Sequence, residues 1–309
     1  MAGPDTESTD AEFLDRFANL NIWRRDDERA PHKPLLLLYA LARLQRREER
    51  LVSFKELDEH VRRLLMEYGP PRKSYHPEYP FWHLRSDGLW EIPQCEALNA
   101  DLESRSRKNN PPKSVLIREK AEGGLPADLD ATLRSRPDLV NRIVARLLED
   151  HWEPSFHDDI LNAVGMPYVQ VSRRRPRDPA FRDTILRIYQ HRCAVCGYDA
   201  LLGTTDLGIE AAHIHWHSHG GPDTEDNGLA LCANHHKAFD RGAISLDDDH
   251  RFLVSQHLRD TQGARDWLIR FAGRPLRGPQ PGCPPPSSSH LDWHREQVFR
   301  EPAREAGTS

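Results

Sequence analysis

The chain has 309 residues, 38% hydrophobic and 29% charged, which is enough for two domains with cores of their own. A formal net charge of −5 excludes a global positive field, so any binding to nucleic acid must come from local basic patches. No apolar run is long enough for a bilayer span, the first residues lack the basic and apolar regions of a secretory signal, and five cysteines, mostly in metal-ligand spacing, point to a reducing cytoplasm.

Residues 1–10 are acidic and rich in Ser and Thr, and are expected to be a disordered leader. Phe13, Leu14, Phe17 and Leu20 then recur at helical spacing. Pro34 is predicted to be the first residue of a helix through PLLLLYALARLQRREE. LVSFKELDEHVRRLLMEYG reads as a short strand followed by an amphipathic helix ending at Gly69.

The next stretch is the most informative of this half. A proline-rich loop carries Arg72, Lys73, Ser74, Tyr75 and His76, and basic, hydroxyl and aromatic side chains on one rigid loop suit phosphate contacts. A surface loop with its aromatics packed beneath it is the plainer alternative. FWHL and LWEI flank Arg85-Ser86-Asp87-Gly88, and Asp-Gly between apolar runs predicts a β-hairpin. A second basic run, Arg105 to Lys113, reads equally as a solvated linker.

From Asp138 the pattern is helical to a break at Glu153-Pro154, after which Ser155 is placed to cap a helix ending at Gly165. Such a start presents N–H groups to an anion, although Asp158 and Asp159 in the first turn satisfy the helix dipole without one. Residues 166–180, with the Arg173–Arg177 cluster, read as a basic linker that could also touch DNA.

The remaining chain begins with a helix, FRDTILRIYQHRC, feeding Cys193-x-x-Cys196. A matching Cys232-x-x-His235 follows after 35 intervening residues, and four soft, tetrahedral-favouring ligands in that register predict a structural zinc site. IEAAHI, bounded by Gly208 and the turn at 220–222, is a strand ending in His213, while His235-His236 open a short helix. Successive helical side chains diverge by about 100°, so His235 can face the zinc while His236 faces a cleft. Beyond Gly242, AISLDDDHRFLVS predicts a hairpin with an acidic turn, and PLRGPQPGCPPPSSS an extended low-complexity stretch in which Cys283 is a free thiol. LDWHREQVFR is an apolar-periodic segment suited to dock back on the domain.

Residues 181–245 resemble the HNH endonucleases of the ββα-metal fold, carried by His213, Asn227 and His236, with NGLALC leading into the helix and FDRG closing it. The resemblance implies His213 as general base towards the attacking water, Asn227 as the residue that pins the loop, and His236 as a ligand of a catalytic magnesium or manganese ion. Many members carry an acidic ligand immediately before the catalytic His. That place is Ala212 here, which leaves Glu210 and Asp240 as the alternatives for the second ligand. His215, His217 and His219 read mostly as solvated loop residues.

A second resemblance covers residues 11–165. APHKPLLLLYALARL, YHPEYPFWHLRSDGLWEI and WEPSFHDDILNAVG look like the sulfur-binding domain of phosphorothioation-dependent type IV restriction endonucleases of the McrA type. That family implies a non-polar cavity for the sulfur replacing a phosphate oxygen, lined by a proline matching Pro154, with Glu153, Ser155, Phe156 and His157 around it. Lys33 and Arg72–His76 would then hold neighbouring phosphates and base edges.

The expected fold is α+β in two domains, a mainly helical N-terminal domain with a hairpin (11–165) and a zinc-stabilised ββα-metal domain (181–309). The expected partner is double-stranded DNA carrying a phosphorothioate, with a homodimer as the assembly to be tested and no membrane. The expected function is a modification-dependent endonuclease. The competing readings are a DNA-binding sensor with a weak or inactive HNH module, and an HNH nuclease reading methylcytosine through an aromatic cage drawn from Trp82, Trp90 and Trp152.

Overall fold

The computed structural model describes residues 4–22, 28–104, 110–166 and 179–305. The chain divides into two compact units, Met1–Ser172 and Arg173–Ser309. The Arg173–Arg177 cluster and most of the basic run at 105–113 lie outside the described residues.

The first unit is built around one helix. In chain order it contains α1 (Pro4–Ala18), α2 (His32–Gln45), β1 (Val52–Ser53), α3 (Phe54–Tyr68), α4 (Glu78–His83), α5 (Cys95–Ser104), α6 (Lys113–Arg118), β2 (Glu122–Gly123), α7 (Ala127–Arg134), α8 (Pro137–His151) and α9 (His157–Val164). The leucine run Leu35–Leu38 makes α2 apolar all round, so it is buried all round, with α3, α4, α7, α8 and α9 packed against it. Ser53 caps α3 by accepting from the Glu56 N–H, and α3 stops at Gly69 as its pattern predicts.

Four expectations for this unit are corrected. Helix α1 starts at Pro4 and takes in most of the expected disordered leader. Pro34 is the third residue of α2, whose N-cap is Pro31. Ser155 is not the N-cap: residues Pro154–Phe156 form a 3-10 turn, and the N-cap of α9 is Phe156.

The predicted hairpin at 81–92 is also absent. FWHL continues α4 into a 3-10 turn at Leu84–Asp87, closed by Gly88 at φ +68°. The cause is tertiary. The Asp87 carboxylate accepts from the Asn21 N–H and from the Lys33 ammonium, and the Arg85 guanidinium lies 3.5 Å over the Trp82 ring. The strand-like LWEI finds its partner elsewhere, in the bridge between Glu91 and Gly124.

The second unit follows the expected ββα plan. Helix α10 (Pro179–Ile188) precedes the Cys193–Cys196 knuckle, a small hairpin β3 (Leu201–Leu202) and β4 (Thr205–Asp206), and then β5 (Ile209–His213). Strand β6 (Gly228–Cys232) pairs antiparallel with β5, setting His213 opposite Gly228 and Ile209 opposite Cys232, and α11 (Ala233–Asp240) follows at once. Gly228 is required for packing: a Cβ there would lie 2.2 Å from Ile185 of α10. The acidic-turn hairpin forms as β7 (Ile244–Leu246) with β8 (Phe252–Val254), and α12 (Gln262–Trp267) and α13 (Ser288–Gln297) complete the unit.

The proline-rich stretch is a strap tied by backbone bonds from Leu276 to His250, Arg277 to Ala194 and Gln280 to Ile188. Beyond it α13 docks on the domain, burying Leu291, Trp293 and His294. Among the described residues no helix is long and apolar enough to cross a membrane.

Candidate active site

The four predicted zinc ligands converge. The donor atoms of Cys193, Cys196, Cys232 and His235 all lie within 4.8 Å of one another, at the junction of the knuckle, the end of β6 and the first turn of α11. The Cys232 and Cys193 sulfurs stand 3.0 and 3.6 Å from His235 Nδ1. The other ring nitrogen, Nε2, is 2.7 Å from the Trp267 carbonyl, the outer partner that fixes a ligating imidazole.

Hydrogen bonds from Cys196 and Cys232 hold the Cys193 thiol well below its usual range, and contacts with Cys193 and Cys196 push Cys232 up. Burial alone would lower His235, but bonding to Cys193 and Cys196 outweighs it and raises the imidazole to about 9. A soft, buried Cys3His set with a secured second imidazole nitrogen fits a tetrahedral metal.

The HNH residues occupy one hairpin and its helix. His213 ends β5, is 2% exposed, and stacks on Phe181 of α10 at 4.1 Å and 8°. Its Nε2 lies 2.7 Å from Asp223 Oδ1. Asn227 is fully buried: its Oδ1 accepts from the His215 N–H at 2.8 Å, and its Nδ2 donates to the carbonyls of His215 at 3.0 Å and Pro222 at 2.9 Å. It clamps the loop between β5 and β6 at both ends.

His236, on α11, lies between two carboxylates, with Nδ1 2.6 Å from Glu210 Oε2 and Nε2 3.4 Å from Asp240 Oδ2. The carboxylates differ in access: the Glu210 side chain is 50% exposed and that of Asp240 1%. Strand side chains alternate, so Glu210 shares the face of β5 on which Ala212 stands, two residues earlier. Glu210 and His236 Nδ1 therefore form a reachable oxygen–nitrogen pair for a divalent cation, with Asp240 behind the ring to orient it.

Two expectations about the loop change. Only His217 of the three loop histidines is exposed. His215 is buried and stacks on Trp293 of α13 at 4.3 Å, and His219 is half-buried beside the same indole. The C-terminal helix thus braces the loop that Asn227 clamps. Sequence reasoning did not single out Asp223, Phe181 or Trp267. A lone Asp in a Gly-Gly-Pro-Asp turn reads as turn chemistry, and a strand-end contact with a distant helix leaves no local trace.

In the first unit, the candidate DNA-binding elements hang from Tyr68. Its carbonyl accepts from the Trp152 indole at 2.9 Å and from Arg29 at 2.8 Å, and its hydroxyl donates to the Asp159 carbonyl at 3.1 Å. The end of α3, which leads into the loop at 72–76, is thereby tied to the turn at 154–156. Arg72, Lys73 and Ser74 are exposed, and Ser74 Oγ, His76 and Glu78 form a chain of contacts of 2.9 Å each. His32 lies beneath this loop. Burial, then the charges of Arg72 and His76, lower its imidazole to about 4.

Pro154 is exposed and Ser155 half-buried, whereas Glu153, Phe156 and His157 are buried and point inward. Lys33 is 9% exposed, with Nζ on Asp87 Oδ2 and the Asn21 carbonyl. Trp82, Trp90 and Trp152 are each 5% exposed or less, so they serve the core and build no open aromatic cage.

Comparison with known proteins matches this division. The family described as ScoMcrA-like, DNA sulfur-binding domain, matches residues 10–168, and the HNH endonuclease family matches residues 193–247. Among solved structures, the sulfur binding domain of ScoMcrA complexed with phosphorothioated DNA is 30% identical, over 50% of this chain and 95% of that one, with a TM-score of 0.43. The type IV phosphorothioation-dependent restriction endonuclease ScoMcrA is 26% identical over 53% of this chain, which spans only 30% of its length, at a TM-score of 0.41. The modification-dependent TagI restriction endonuclease is 27% identical, over 48% of this chain and 45% of that one, at 0.33. With TM-scores below 0.5, these three likenesses add nothing to the family matches. No curated protein matches the chain.

Proposed function

Because the chain belongs to the family of ScoMcrA-like DNA sulfur-binding domain proteins and carries an HNH endonuclease domain, we propose that residues 11–165 recognise phosphorothioated DNA and residues 181–309 hydrolyse phosphodiester bonds nearby. The observation that supports cleavage most is the convergence of His213, Asn227 and His236 on one β5–β6–α11 unit, with Glu210 and Asp240 flanking His236.

In this reading His213 accepts the proton of the attacking water. Glu210 and His236 would hold a magnesium or manganese ion, and Asp240 would fix the His236 ring from the other side. Once bound, such a cation supplies a Lewis acid for the scissile phosphoryl group and the leaving 3′ oxygen. Asn227 touches no substrate: it holds the loop in which the base and its surroundings sit. The Cys3His site takes zinc and contributes folding energy to the nuclease unit.

Recognition rests on different chemistry. Sulfur is larger and less strongly hydrated than oxygen, so an apolar contact favours the thio-substituted phosphate on desolvation cost. Pro154 presents an exposed apolar ring at the start of its turn, and Arg72, Lys73 and Ser74 supply donors for the flanking backbone.

The test is binding by the full-length His213→Ala protein to matched duplexes with and without one phosphorothioate. A preference for the sulfur duplex supports the reading, and equal affinity for both ends it.

A further inference from the structure

The ring read as the general base is gripped by a group that the HNH triplet does not include. Asp223 Oδ1 lies 2.7 Å from His213 Nε2, and the Asp223 side chain is 30% exposed while that of His213 is 1% exposed. The backbone just before Asp223 is fixed by the triplet's own asparagine, because Asn227 Nδ2 donates to the Pro222 carbonyl. The approach to it is fixed too: a Cβ on Gly221 would meet the His215 carbonyl at 1.9 Å, so only glycine permits that close turn. Asn227, Pro222, Asp223 and His213 thus form one continuous linkage from the buried clamp to the base.

Among the described contacts, Phe181 of α10 covers one face of the ring, and the Arg182 guanidinium of that helix is directed to the Ile209 carbonyl at the far end of β5. Strand β6 offers Gly228 opposite His213. Two titratable groups at the ring are Asp223 and His217, whose ring centroid is 5.8 Å from that of His213 and whose Nε2 is 4.0 Å from the other Asp223 oxygen.

We propose that Asp223 is the positioning residue of the general base, a reading that rests on His213 being that base. A carboxylate at this distance accepts the Nε2–H, so the neutral ring carries its lone pair on Nδ1. Nδ1 is buried in the free protein, so substrate must open the ring to the attacking water, whose proton that lone pair then takes as the water oxygen bonds to phosphorus. The P–O3′ bond breaks with its electron pair on the 3′ oxygen, and the imidazolium later returns its proton to solvent. The carboxylate orients the ring and stabilises the imidazolium, the division of labour of a carboxylate–imidazole pair. Asp223 therefore sets the tautomer of His213 and faces the charge that forms on its ring.

The experiment uses the full-length, zinc-loaded protein as parent, Asp223→Asn and His213→Ala. Single-turnover cleavage of a phosphorothioated duplex is followed across pH with manganese, and the His213 imidazole nitrogens are followed by NMR without manganese. The Nε2–H tautomer is expected in the parent, where it needs no variant to be seen. In Asp223→Asn the His213 titration and the acidic limb of the rate profile should both move down. The cleavage rate should fall by about tenfold or more, with DNA affinity unchanged. An Nδ1–H tautomer in the parent, or a His213 titration that does not move in Asp223→Asn, overturns the proposal. If His213→Ala still cleaves, the base assignment itself is wrong. If His213→Ala is inert while Asp223→Asn cleaves normally with an unmoved acid limb, only the role of Asp223 falls.

Discussion

Replacing Asn227 by alanine isolates what a buried clamp is worth. The side chain is fully buried and makes three hydrogen bonds, all to backbone, joining His215 to Pro222 across the loop that follows the base. Alanine removes all three and leaves the His215 N–H and two carbonyls to find other partners in a closed site. Each such bond contributes about 1 kcal/mol net, and each buried group left unsatisfied costs about 1–3 kcal/mol, so a loss of about 3 kcal/mol is expected, in a range of roughly 2–5. That is a large part of the roughly 5–15 kcal/mol that holds a domain together, yet not all of it. The nuclease unit should therefore remain folded and zinc-loaded while its loop loosens. Urea unfolding of the full-length protein, read for its second transition, should show the loss. Single-turnover cleavage should fall by about a hundredfold, because a 1 Å misplacement at a reacting centre costs that order. Asn227→Asp should be no milder, since it keeps the acceptor for His215 but sets a carboxylate against two carbonyls. Unchanged stability with near-parental cleavage in Asn227→Ala would refute the reasoning.

Cys196→Ser should release the metal and unfold the nuclease unit, because structural zinc supplies about 10–16 kcal/mol of apparent binding energy in small domains; metal analysis and a two-transition melt in which only the first survives would show it. Pro154→Asp should abolish the preference for a phosphorothioated duplex by setting a carboxylate beside an anionic mark, whereas Arg72→Ala should weaken both duplexes and reduce the salt slope by about one; competition binding at two salt concentrations separates them. The first unit should lose stability in acid. His32 is held neutral down to about pH 4, so the unfolded chain binds its proton first. Stability present above about pH 6.5 should then decline by roughly 2–3 kcal/mol towards pH 4, and His32→Asn should flatten that decline. Denaturation curves at pH 7.5, 6 and 4.5 measure it.

The site was legible in the sequence where chemistry fixes spacing. A C-x-x-C and a C-x-x-H can be recognised at any separation because a tetrahedral ion forces them together, and His213, Asn227 and His236 keep their intervals because one hairpin and one helix carry all three. The leucine-rich α2 and the amphipathic α3 were legible too, α2 from its continuous apolar run and α3 from its periodic apolar face. The failures lie where tertiary partners decide. Asp87-Gly88 has the composition of a hairpin turn, but the carboxylate is claimed by Lys33 and Asn21, and the chain stays helical. That same ion pair engages Lys33, one of the residues expected to contact DNA. His215 looked like a solvated loop residue because its burial depends on Trp293, 78 positions downstream on the docked C-terminal helix. Asp223 escaped notice because a turn aspartate and a base-holding aspartate are indistinguishable without the fold.

The central claim is that one chain couples a sulfur reader to a metal-dependent nuclease, and the most direct test is cleavage itself. Two duplexes identical except for a single phosphorothioate are incubated with the full-length protein in magnesium or manganese, beside its His213→Ala variant. The account expects cuts near the mark in the sulfur-bearing duplex alone, lost in the variant and lost on removal of the divalent cation. Equal cutting of the unmodified duplex, or cutting that survives in His213→Ala, would contradict it.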